Sequence, residues 1–273
     1  MIIESPTSQY KMGVLVVENA VSRTYLCQEV ETGRRCLFQI AKRVEDNGAL
    51  DRAAYILGRL AAGAAELEAD FARAVGDAKK TLGYANCFAE LVQSFVCAAQ
   101  DNRRVNILAF RHVDSPSQLV PIVKIVEVDR LRADLRTTAW IMGKTLKLLA
   151  FTHDLGIASG PNLISNLLLE PDQHFVLFFD WTEASLHEKK MPREIRTAEI
   201  AQAAEGVIML AAGDESTGVF PDDERGRLKP YTDHLLFLAH GGAGDAFTAH
   251  GDFYKLIDTI WERVFYPATF LPR

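Results

Sequence analysis

Two apolar runs, Leu167-Leu168-Leu169 and Phe175-Val176-Leu177-Phe178-Phe179, flank the turn residues Glu170-Pro171-Asp172-Gln173 and end on a single carboxylate, Asp180. Apolar segments of that length around a Pro-Asp turn predict a short hairpin over 166–179, with Asn166 at its start. A carboxylate directly after five apolar residues is costly to bury without a partner. Asp180 is therefore either part of a site or a polar strand terminus or cap. Upstream, Gly156-Ile157-Ala158-Ser159-Gly160-Pro161-Asn162 reads as a loop, entered from a long helix that ends near Phe151-Thr152-His153-Asp154-Leu155 with Gly156 as its cap.

The rest of the chain gives this loop and hairpin their setting. Residues 10–42 read as a strand meander: Met12 to Val17, Arg23 to Val30, a tight turn at Glu31-Thr32-Gly33-Arg34, then Cys36 to Ile40. Residues 50–79 switch to helical spacing, and 84–99 predict another helix with Phe88, Leu91, Val92, Phe95 and Val96 on one side. Strand character returns at Val105–Phe110 and Leu119–Val126, separated by the Asp114-Ser115-Pro116-Ser117 turn. From about residue 129 the chain is mainly helical apart from the hairpin.

In this order of elements, and in the spacing from Gly156 through Asn166 to Asp180, the chain resembles the protein kinase family over roughly residues 10–213, most closely over 146–182. The resemblance implies an α+β fold of two lobes, together one bilobal domain. A small antiparallel β-rich N-lobe with an inserted helix occupies 1–126, a hinge lies near Glu127-Val128-Asp129, and a larger, mainly α C-lobe occupies 127–273. In the family's frame Ser159 stands at the histidine of the catalytic loop, Pro161 at the aspartate that accepts the substrate proton, and Leu163 at the lysine. Asn166 and Asp180 stand at the two magnesium ligands. Both supply the oxygens a hard cation prefers, whereas Pro161 offers no carboxylate.

The other kinase parts are depleted in the same way. The loop expected to cradle phosphates is Val17-Glu18-Asn19-Ala20-Val21-Ser22-Arg23-Thr24, which has no glycine and brings Glu18 toward any phosphate. The phosphate-pairing lysine position falls on Gln39, and only a three-residue slip, which would turn the other face of the strand, places Lys42 there. Its glutamate partner is expected at Glu90 on the helix of 84–99, with Glu66 and Glu68 on the preceding, inserted helix as alternatives. Pro192-Arg193-Glu194 weakly resembles the end of an activation segment, and Glu199 to Ala211 fits the buried helix that anchors the larger lobe, with Gly206 as a close-packing site.

Composition narrows the function classes. A chain of 273 residues with 48% hydrophobic content and a formal charge of −6 reads as a globular protein that binds no nucleic acid. Its basic clusters, Lys189-Lys190 with Arg193 and Arg196, and Arg130 with Arg132 and Arg136, are short. No apolar run approaches a membrane span, and Cys27, Cys36, Cys87 and Cys97 suit reduced, buried thiols, so a cytoplasmic protein without membrane contact is expected. The resemblance then implies a pseudokinase that binds a protein partner, with no cofactor or only weak ATP and Mg binding through Gln39, Lys42, Glu90, Asn166 and Asp180. The alternative is an active ATP- and Mg-dependent phosphotransferase whose base is relocated to His153 or Asp154. A metal-dependent phosphohydrolase built on His153-Asp154 lacks a suitable ligand scaffold.

Overall fold

The computed structural model describes residues 1–76, 80–161, 163–188, 191–223, 226–262 and 264–273. Lys189, Lys190, Asn162 and the end of the 50–79 helix therefore lie outside the described residues. Two compact units form, one from Met1–Leu119 with Phe179–Ala184, the other from Val120–Phe178 with Ser185–Arg273.

The first unit is built on an antiparallel six-stranded sheet of β1 (Ile2–Glu4), β2 (Gln9–Glu18), β3 (Ser22–Glu29), β4 (Arg35–Ala41), β5 (Glu90–Cys97) and β6 (Arg103–Ala109), in the order β1-β2-β3-β4-β6-β5. Tyr10, Cys27, Cys36, Phe38, Ile40, Val105 and Ile107 form its core. Cys27 and Cys36 stand directly opposite each other on β3 and β4 as free, buried thiols, Cys97 is free and buried too, and Cys87 is buried. The predicted meander over 10–42 is present, with Gly33 left-handed in the β3–β4 turn.

Two expectations fail in this unit. The segment 84–99 is not a helix: a 3-10 turn at Tyr84–Asn86 leads into strand β5, which pairs with β6. Leu91, Val92, Phe95 and Val96 fit helical spacing, but β-branched and aromatic residues beside an open edge of β6 favour the ladder. The helix over 50–79 is no insertion either. It is α1 (Asn47–Val75), closed by left-handed Gly76, and it packs Leu50, Ala53, Ile56, Leu57 and Leu60 on β4, β5 and β6.

The second unit contains β7 (Val120–Pro121), β8 (Leu131–Ala133), α2 (Leu135–Asp154), β9 (Ile157–Ala158), α3 (Leu163–Asn166), β10 (Leu167–Glu170), β11 (Phe175–Phe178), β12 (Ser185–Leu186), α4 (Arg193–Leu210), α5 (Lys229–Ala239), α6 (Ala246–Ile260) and β13 (Phe270–Pro272). The strand expected over Leu119–Val126 is only two residues long, because Lys124–Val128 closes into a π-helical turn. The hairpin over 166–179 is as expected, with β10 and β11 antiparallel. Helix α2 packs against α4 and α6, burying Leu146, Leu149, Ile200, Val207 and Phe253, and Gly206 sits against Ile164. Among the described residues no helix is long and apolar enough to cross a membrane.

Helix α2 ends where the sequence places its end. Gly156 is left-handed at φ +69°, and a Cβ there would lie 2.4 Å from the backbone oxygen of His187, whose N–H donates to Gly156 O at 2.8 Å. Gly156→Ala should cost about 2 kcal/mol or more, since strained dihedral and steric conflict coincide. Gly58→Ala, on the open face of α1 with nothing within 4 Å of the added Cβ, should gain about 0.5–1 kcal/mol. Denaturant midpoints of the two variants check the opposite signs.

Candidate functional site

The first unit contains a half-buried polar cluster around Asp180. Strand β4 carries Gln39, 1% exposed, and its Nε2 donates to Asp180 Oδ1 at 3.1 Å. The Thr182 N–H donates to the same oxygen at 3.0 Å. Asn19, in the turn between β2 and β3, donates from Nδ2 to Asp180 Oδ2 at 2.5 Å and to Thr182 Oγ1 at 3.1 Å. Three N–H donors from three chain segments thus converge on one carboxylate.

The orientation of Asn19 is fixed from its other side. Its Oδ1 accepts from the backbone N–H of Val21 at 2.9 Å and of Ser22 at 2.7 Å, so only the NH₂ group can face Asp180. This is an Asx turn, and it occupies the place where the sequence resemblance expects a glycine-rich loop. Burial pushes the Asp180 carboxyl above its ordinary value, and the bonds from Thr182, Gln39 and Asn19 oppose that rise. Arg52 of α1 donates to Thr182 O at 3.0 Å and anchors the same segment.

Of the two strand registers, it is Gln39 that meets Asp180. Lys42 instead pairs with Glu18 at 2.6 Å, and Glu18 also receives Arg23 at 3.1 Å. Glu90 lies on strand β5 rather than on a helix and pairs with Arg34 at 2.7 Å on a solvent-accessible surface. Glu66 is exposed on α1, while Glu68 accepts from the N–H groups of Leu82 and Gly83. Asn166 ends α3, in the second unit, and Asp180 belongs to the first.

A second polar cluster lies inside the second unit, at the loop that should hold the catalytic base. Glu199 of α4 is 3% exposed, and its Oε1 accepts from the Ser159 N–H at 2.6 Å, the Ser159 hydroxyl at 2.6 Å and the Gly160 N–H at 3.2 Å. His153 of α2 meets Glu199 Oε2 through Nε2 at 2.8 Å. Pro161 follows directly and is exposed, and Asp154 is exposed at the end of α2. Ser159 and His153 both bond the carboxylate, so the cluster pins the loop that follows α2.

Sequence reasoning assigns no role to Asn19 or Glu199. Asn19 carries a readable signal, an Asn followed three residues later by Ser in a turn. Glu199 stands in a helix of small and apolar residues without a pattern that marks it as buried. Among the described residues no three His, Cys, Asp or Glu side chains group to hold a metal.

No family model matches the chain, and no curated protein matches it. Among solved structures, a crystal structure of the BubR1 kinase domain matches over 94% of this chain and 88% of that chain, with a TM-score of 0.55 at 12% identity. Identity that low speaks to the fold alone. With an antiparallel β-rich unit, a mainly helical unit and this likeness, the chain has a protein kinase-like α+β fold.

Proposed function

We propose that this kinase-fold protein does not transfer phosphate and works by binding a protein partner. The observation that carries the reading is that both oxygens of the half-buried Asp180 carboxylate already accept N–H bonds from the protein. A divalent cation needs oxygen lone pairs turned toward it, whereas here N–H groups of Asn19, Gln39 and Thr182 occupy both carboxylate oxygens. Asn19 cannot turn its oxygen inward without giving up two backbone bonds. The donor set does not fit a magnesium ion, and neutral Gln39 cannot offset phosphate charge as a lysine would.

A relocated base fits poorly as well. His153 is buried with its Nε2 bonded to Glu199, and Asp154 lies at the helix end. The binding half of the reading draws on strand β2, where four consecutive aliphatic residues, Val14 to Val17, are 42–66% exposed. Strand β1 pairs with Gln9 to Lys11 and the Met12 N–H bonds Met1 O, and among the described residues no strand pairs with the rest of that β2 edge. Open apolar edges of this kind serve as templates for pairing with another chain.

Thermal unfolding with ATP and magnesium tests the negative half. A ligand at 100 times its Kd adds about 2.7 kcal/mol to the folded state, a shift of several degrees. The expected result is no rise in midpoint and no transfer of labelled phosphate. A rise that needs both ATP and magnesium, or transfer abolished by Asp180→Ala, overturns the reading.

A further inference from the structure

A cavity of about 500 Å³ opens in the second unit where the first turn of α4, the end of α5 and the start of α6 surround the loop Gly242–Asp245. That volume lies within the range of small-ligand pockets. One wall is apolar, formed by Phe237, Leu238 and Ala249, and the other carries Arg193 and Arg196.

Two arginines and two aspartates line this cavity, and their pairing is uneven. Asp245 is committed: its Oδ2 accepts from Arg196 Nη1 at 2.9 Å, and its Oδ1 accepts from the N–H and hydroxyl of Thr248, both at 2.9 Å. Asp252 is paired with Lys255 at 2.9 Å. Arg193 has no ion pair among the described residues. It lies so close over Gly244 that a Cβ there would come within 2.6 Å of its Nε. Arg196 also keeps one N–H unused: its Nε is sealed from solvent and has no hydrogen-bond partner among the described residues. A buried donor without an acceptor is uncommon and costly in a folded protein.

We propose that this cavity binds a small organic acid, a carboxylate carried on an apolar body, with the carboxylate on Arg193 and the body against Phe237 and Leu238. The planar guanidinium fork matches a carboxylate and holds it with charge-assisted bonds. A monoanion fits better than a dianion, because Asp245 and Asp252 stand in the same wall and one arginine is left uncompensated. The site lies wholly in the helical unit and is independent of the nucleotide question.

Ligand-observed NMR titrations of the full chain with 3-phenylpropionate, its neutral amide and acetate test the proposal. The acid should bind, with the amide and acetate at least about tenfold weaker. Arg193→Ala should bring the acid down to the level of the amide while leaving the thermal midpoint unchanged, since Arg193 is exposed. Equal binding of acid and amide, no binding of the acid up to about 10 mM, or wild-type affinity in Arg193→Ala overturns it. If the arginine variant fails to fold, Phe237→Ala addresses the apolar wall at an exposed position: it should weaken binding of the acid at least about tenfold, and wild-type affinity refutes the site.

Discussion

Replacing Glu199 by alanine should destabilise the helical unit by about 3–5 kcal/mol, the cost of removing one partner from a buried charged cluster, and lower its thermal midpoint by roughly 10 °C. The change leaves Ser159 N–H, the Ser159 hydroxyl, Gly160 N–H and His153 Nε2 without their acceptor. Each buried donor stranded in this way forfeits the desolvation free energy its bond had offset. Glu199→Gln should behave differently. Its Oε1 can keep the three bonds to Ser159 and Gly160, and its NH₂ would face His153 Nε2, which becomes the acceptor once the ring proton moves to Nδ1. That nitrogen is buried without a partner already, so the tautomer change costs about 1–2 kcal/mol. Calorimetry of the two variants should rank alanine well below glutamine. Equal losses, or an alanine variant within about 1 kcal/mol of wild type, would show that the loop before Pro161 is held by something other than Glu199.

The two polar clusters show which parts of the architecture a single sequence carries. Alternating or continuous apolar runs bounded by turn residues, such as 10–42 and the hairpin at 166–179, are local signals, and they fold as read. Counting from Gly33 along β4 reaches Gln39, because strand register transmits position faithfully over a few residues. The segment from Glu90 to Cys97 reads as a helix for a physical reason. Only Cys97 in it is buried, so the two-residue rhythm of a half-buried strand is absent, and Leu91 with Phe95 fits a helix equally well. Taking that strand for a helix carries Glu90 along and turns α1, the helix that packs on the sheet, into an apparent insertion. Asn19 and Asp180 are 161 positions apart, and Glu199 is 40 from Ser159. Bonds over such separations depend on tertiary placement, which no local pattern encodes.

For Asp180 the geometry predicts a rescue that a metal ligand would not show. Asp180→Asn should cost about 1–3 kcal/mol, because its NH₂ group would meet that of Asn19, leaving the new amide without an acceptor and Asn19 with only its bond to Thr182 Oγ1. Asn19 cannot flip to relieve this, being held by Val21 and Ser22. Asn19→Asp alone should be worse, placing two carboxylates 2.5 Å apart in a half-buried site. The double variant exchanges donor and acceptor. The carboxylate then at position 19 still accepts from the Val21 and Ser22 N–H groups, and the amide then at position 180 donates to it while its oxygen keeps the bonds from Gln39 and Thr182. Its stability should return to within about 1 kcal/mol of wild type, a coupling that denaturant titration of all four proteins would measure. Lack of recovery would mean that Asp180 is not held chiefly by Asn19. The pH dependence gives an independent sign. Burial holds the Asp180 carboxyl above its unfolded value of 3.8, so the folded chain binds this proton more readily than the unfolded one. Its contribution is therefore fully present below about pH 3.8 and declines as pH rises through the raised value. Asp180→Ala has no such proton to bind, and it strands the Gln39, Asn19 and Thr182 donors at every pH. The stability gap between wild type and Asp180→Ala should accordingly be widest near pH 4 and narrow toward neutral pH, and a gap that widens as pH rises would place the carboxylate beside a cation instead.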